Sequence, residues 1–129
     1  MSHSINIYPE LKLTSVVFEG DITIEELLEA ENDIQNHCDF KLDFNGVYDF
    51  RNSKKLFEPK DLDKLKNKSA HFNPNKGKWC SLNSAPFETA LSSLFQNKRI
   101  EVHPFEVFSS VEAASEFLDI DLSNILVDT

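Results

Sequence analysis

The sequence predicts an α/β domain with a mixed, mostly parallel sheet of about five strands, an N-terminal antiparallel hairpin and four helices. Three observations predict it. Short runs rich in Val, Ile, Leu and Phe alternate with segments of helical periodicity. Thr23/Glu26 and Ser109/Glu112 stand at capping-box spacing directly ahead of two such segments. The 129 residues contain no repeat and no Pro/Gly-rich linker, which fits one domain over residues 1–129.

Residues 5–8 and 11–19 read as two strands, joined by a turn at Pro9 and Glu10. The first helix begins at Thr23, with Ile24, Leu27, Leu28 and Ile34 on its apolar face and Glu25, Glu29 and Asp33 toward water. Residues 40–50 read as the next strand. Leu42, Phe44, Tyr48 and Phe50 share one parity, while Lys41, Asp43, Asn45 and Asp49 share the other. A parallel strand covered on both faces reads as a continuous apolar run, so this alternation predicts a sheet with one face less covered. Residues 51–58 read as a polar loop, and Pro59 suits the first turn of a second helix with a weak stripe of Leu62, Leu65 and Phe72.

A strand over 78–83 follows. The third helix opens at Ser84 and Pro86, with Phe87, Ala90, Leu91, Leu94 and Phe95 on its face. The last strand covers 100–108, and Pro104 predicts an edge or a bulge. Ser109 caps a fourth helix bearing Val111, Ala114, Phe117 and Leu118, and Leu122, Ile125 and Leu126 predict one more packed turn. Strands alternating with helices call for parallel neighbours joined by right-handed crossovers.

Composition narrows the function. Twenty-two acidic residues against 13 basic ones give a formal net charge of −9, which repels polyanions and argues against a nucleic-acid partner. The basic stretch Lys54, Lys55, Lys60, Lys64, Lys66 and Lys68 is interleaved with Glu58, Asp61 and Asp63 and reads as a solvated helix face. Eleven Phe residues against one Trp and two Tyr predict a core with a large aromatic share that needs few polar partners. Two cysteines are too few for a disulfide framework, and no run approaches spanning length. These features predict a cytoplasmic protein without membrane insertion.

Individual residues offer little chemistry. His37, Cys38 and Asp39 are three metal-ligand types in a row. Adjacent residues do not easily converge on one ion, and structural zinc sites use wider spacings. His37 therefore reads as a cation at a helix C-terminus, and no metal or other cofactor is expected. Cys80, beside Trp79, reads as a small buried hydrophobe, since nothing in the sequence brings His71 or His103 to it. Asp43 and Asp49, about 20 Å apart along an extended strand, are too distant for a glycosidase pair and read as solvated. With three glycines in the chain there is no phosphate loop, and neither a nucleophile elbow nor a zinc-protease helix occurs. No catalytic residue and no enzyme activity is predicted.

Three stretches carry a family resemblance: residues 20–27 (GDITIEEL), 41–47 (KLDFNGV) and 107–114 (VFSSVEAA). The chain resembles the SpoIIAA-like superfamily, the fold of bacterial anti-sigma-factor antagonists (STAS domains) and of less characterised STAS/SEC14-like proteins. The resemblance implies a bacterial regulatory or protein-interaction module, dimeric in several members, and on its SEC14-like side an apolar-ligand pocket between helices and sheet. In the antagonists the central strand leads to a phosphorylated Ser after an Asp. The corresponding hydroxyl is Ser53, the candidate phospho-acceptor, but Asn52 replaces the acidic residue and Lys54 stands where a small one is usual. A working phosphoserine switch is therefore not expected. Arg51, Asn52, Ser53, Lys54 and Lys55 form the candidate interaction loop, and the expected partner is a protein or a second copy of the chain.

Overall fold

A computed structural model of the chain describes residues 3–41, 43–61, 77–84 and 105–126. Its centre is a five-stranded sheet in the order β1-β2-β3-β4-β5, formed by β1 (His3–Tyr8), β2 (Leu13–Ile22), β3 (Asn45–Lys55), β4 (Trp79–Leu82) and β5 (Phe105–Phe108). β1 pairs antiparallel with β2, and every later pair is parallel. Each crossover thus advances the chain by one strand in the same direction. The mixed, mostly parallel sheet with its opening hairpin is as expected, and β5 lies at an edge.

Two α-helices occur among the described residues, α1 (Ile24–Asn36) and α2 (Val111–Leu118). The predicted second and third helices fall outside the described residues, apart from one 3-10 turn at Pro59–Asp61. Pro104 also lies outside them. No helix among the described residues is long and apolar enough to cross a membrane.

Local signals explain where the helices start. Thr23 Oγ1 accepts from the Glu26 backbone N–H at 3.3 Å, the first half of the expected capping box. The cap of α2 is Ser110, not Ser109: Ser110 Oγ accepts from Ala113 N–H at 3.1 Å. Ser109 has the capping-box glutamate three residues on and Ser110 has only Ala113, so spacing alone favours Ser109; the extended backbone at Ser110 (φ −134, ψ 146) puts the cap there instead. Leu122–Asn124 forms the extra turn foreseen from the apolar tail, with Asp121 capping it through Ser123.

The helices lie on opposite faces of the sheet. Ile24, Leu27, Ala30 and Ile34 of α1 pack with Val16, Phe18, Tyr48, Phe50 and Trp79 in one core. Ala114 and Leu118 of α2, with Leu122 and Leu126, pack with Leu13, Val47, Cys80 and Leu82 in the other. The expectation of a less covered sheet face therefore fails at the centre of β3, where residues 46–50 are all buried.

Two further expectations about this segment change. The strand begins at Asn45 rather than at residue 40, and it continues through the stretch read as a polar loop, to Lys55. Phe40 and Phe44 sit instead in turns, where Phe44 N–H bonds Lys41 O at 3.0 Å. Asp49 is buried and not solvated: its carboxylate takes two bonds from the Arg51 guanidinium, at 2.9 and 3.0 Å, and one from the Arg51 backbone N–H at 3.1 Å. A charge that would mark an outward position is accommodated inside because its partner is two residues away.

The many Phe residues are only part of the aromatic layer on the α1 face. Rings of His3, Phe18, Phe50, Tyr48 and Trp79 cross four strands, with Phe18 and Phe50 stacked at 4.6 Å and Tyr48 and Trp79 tilted to each other at 5.0 Å. Trp79 seats its indole where β3 has no side chain, at Gly46, its register partner.

Candidate functional site

Binding residues concentrate where chain leaves a rigid scaffold, such as beyond the carboxyl ends of parallel strands. Those ends converge here on a cleft of about 500 Å³ lined by Arg51 and Asn52 of β3, Ser84 just past β4, Ser109 and Ser110 just past β5, and Val111 and Glu112 of α2. The sequence singles out Arg51 and Asn52 for this region; Ser84, Ser109 and Ser110 enter only because three strand ends, remote in sequence, lie side by side.

A β-bulge shapes the β3 side of the cleft. Val17 pairs with Asp49 and Glu19 with Asn52, so β3 carries one extra residue against β2. A bulge reverses side-chain alternation beyond it. Lys55, an odd number of residues from Phe50, accordingly shares its face, with Nζ 3.9 Å from the Phe50 ring centroid. Bulges have no composition signature strong enough to be read from one sequence, so the polar end of the strand reads as a loop.

The five residues of the candidate interaction loop are thus strand residues with different surroundings. Arg51 is clamped on Asp49. Asn52 and Lys54 are exposed. Ser53 is half-buried, and its hydroxyl donates to Phe50 O at 2.9 Å. Lys55 is buried and donates to Asn83 Oδ1 at 2.8 Å, while Asn83 Nδ2 donates to Ser81 Oγ at 3.1 Å. The reading of Lys54 and Lys55 as part of a solvated helix face therefore fails: both lie in β3, Lys54 exposed and Lys55 buried.

Three polar residues of the cleft are held by the protein itself. Ser84 Oγ donates to the Arg51 carbonyl at 3.0 Å, Ser110 Oγ caps α2, and the Arg51 guanidinium is neutralised by Asp49. Glu112 occupies the first turn of α2, where the helix dipole favours a carboxylate. An anion entering the cleft would meet that carboxylate and an arginine already paired.

Elsewhere, Cys80 is fully buried in the α2-side core, and burial pushes its thiol from an ordinary value near 9 up to about 12. It behaves as the small hydrophobe expected; His71 and His103 fall outside the described residues. On the α1 face, the Tyr48 hydroxyl donates to the buried Glu31 carboxylate, a pair not foreseen from the apolar stripe of α1. The His37–Cys38–Asp39 segment departs from expectation. Its ligand atoms all lie within 4.8 Å of one another, because a tight turn after α1 folds Asp39 N–H back onto His37 Nδ1 at 3.1 Å.

Compared with known proteins, the chain matches no family model and no curated protein sequence.

Proposed function

We propose that this domain is a cytoplasmic regulatory or protein-interaction module of the SpoIIAA-like, STAS-type kind. In this reading it has no catalytic activity, lacks a working phosphoserine switch, and binds a protein partner or a second copy of itself through the cleft at the strand ends. The carrying observation is that three of the cleft's polar residues are locked by internal hydrogen bonds, Arg51 by Asp49, Ser84 by the Arg51 carbonyl and Ser110 by the α2 N-terminus. Locked donors and acceptors suit recognition, because little side-chain entropy is lost on docking.

The consecutive strand order supports the kinship, since a chain wound in one direction places β2 to β5 in sequence. The inward hydrogen bond of Ser53 supports the loss of the switch, since a kinase needs an outward hydroxyl. The net charge of −9 favours a partner other than nucleic acid.

The alternative, a small apolar-ligand domain of the SEC14-like type, fits the described clefts less well. One of about 550 Å³ is lined by Val111, Ile120 and four carboxylates of α2 and the turn after it, and so lies along the helix and not between helix and sheet. Size-exclusion chromatography with light scattering, together with pull-downs from native lysate, tests the module reading. Wild type is expected to self-associate or retain a partner, and Asn52→Arg with Ser109→Arg, both at exposed positions, to abolish it. A wild-type monomer that retains nothing would end the proposal.

A further inference from the structure

We propose that the turn closing α1 is a binding site for a divalent cation of the zinc class, with His37, Cys38 and Asp39 as its three protein ligands. An imidazole, a thiol and a carboxylate offer ligand atoms within 4.8 Å of one another. A tetrahedral ion with metal–sulfur and metal–nitrogen or –oxygen bonds of about 2.0–2.3 Å holds its ligands about 3.3–3.7 Å apart. Small side-chain rotations close that gap, and Cys38 and Asp39 are exposed and able to make them.

Three features of the surroundings favour a cation and select its type. The turn follows the last residue of α1, so the ion sits where unsatisfied helix carbonyls concentrate negative partial charge. The adjoining cleft, about 430 Å³, contains Cys38 and Asp39 with Asp43, Lys12 and Lys41, which leaves room for water in the open coordination positions. Its two carboxylates balance its two ammonium groups, and Cys38 tips the balance: on coordination its thiol releases a proton to solvent and the thiolate carries the extra negative charge. A thiolate beside an imidazole selects a borderline ion over calcium or magnesium, which prefer oxygen.

Binding must break one bond that the turn now makes. His37 Nδ1 accepts from Asp39 N–H. A neutral imidazole has one lone-pair nitrogen, so metal at Nδ1 displaces that N–H directly, and metal at Nε2 places the proton on Nδ1 and ends its role as acceptor. The Asp39 amide is therefore a local reporter of occupancy.

The test uses the full-length, reduced chain titrated with Co²⁺ and with Zn²⁺ against a chromogenic chelator. One equivalent should bind, Co²⁺ should show a thiolate charge-transfer band in the near ultraviolet, and the Asp39 amide resonance should shift. Cys38→Ser should remove the band, and Cys38→Ser and His37→Gln should each weaken Zn²⁺ binding by at least roughly the tenfold that loss of an outer-shell partner costs. Cys38 is exposed, so its variant should fold even if the His37 variant does not, with far-ultraviolet circular dichroism as the check. Absence of Zn²⁺ binding to wild type, unchanged affinity in Cys38→Ser, or half an equivalent bound with dimer formation would each overturn a self-contained site.

Discussion

Replacing Gly46 by Ala tests the packing on which the α1-side core rests. A Cβ built at Gly46 falls 2.3 Å from Trp79 Cε3 and Cζ3 and 2.5 Å from Cδ2. Carbon–carbon contact is comfortable at about 3.5–4.0 Å, so the overlap exceeds about 1 Å on three ring atoms. The indole has no easy retreat: Trp79 is fully buried and packs against Tyr48. Overpacking of this kind costs roughly 1–3 kcal/mol, and three clashing atoms argue for the upper part of that range. The smaller entropy of the unfolded alanine chain offsets about 0.4–1 kcal/mol, leaving a net loss of about 2 kcal/mol. At about 2.1 cal/mol/K per residue, 129 residues unfold with an entropy of about 0.27 kcal/mol/K, so the melting temperature should fall by about 7 °C. Thermal melts followed by circular dichroism measure this. The double variant Gly46→Ala/Trp79→Phe should show a coupling of about 1 kcal/mol or more, because the smaller ring relieves the overlap. A melting temperature within about 2 °C of wild type, or additive single effects, would refute the seating of the indole over Gly46.

Three further outcomes follow from the site and the caps. Arg51→Ala leaves the buried Asp49 carboxylate without its ion-pair partner and should cost about 3 kcal/mol in urea unfolding, near the low end for a broken buried pair; a loss under about 1 kcal/mol would mean that water already reaches Asp49. Ser110→Ala and Thr23→Ala should each lower stability by about 1 kcal/mol, whereas Ser109→Ala should change it by less than about 0.5 kcal/mol; equal effects at the two serines would contradict the cap assignment. Because the folded Cys80 thiol is raised, its contribution is complete below pH 9 and is lost as pH climbs toward 12: the unfolded chain gives up a proton that the folded chain retains. Stability should therefore fall by about 1.4 kcal/mol per pH unit across that window, a slope that Cys80→Ala removes, and a thiol reagent near neutral pH should label Cys38 at once and Cys80 only on unfolding.

Much of the fold is legible in local chemistry. The Thr23 cap, the Ile24–Leu27–Ile34 stripe and the Val- and Phe-rich strands act over a few residues, and the folded chain keeps them. The candidate site was far less legible. Arg51 and Asn52 are in the cleft, yet the segment is strand rather than loop, and the bulge that redirects it is paired against β2, about thirty residues upstream. Asp49 looked outward because charge and burial rarely coincide, and only the neighbouring guanidinium reverses that rule.

By itself, the order of residues determined the α/β class, the opening hairpin, the start of α1 and the acidity that disfavours nucleic acid, because periodicity, capping and net charge are sums over near neighbours. Only the tertiary structure decided that α2 closes the second sheet face, that Ser84 and Ser110 line one cleft with Arg51, that Lys55 turns inward and that His37, Cys38 and Asp39 converge. Each of these depends on register or on a turn's dihedral angles. A shift of one residue in either sends a side chain to the opposite face at almost no cost in local propensity.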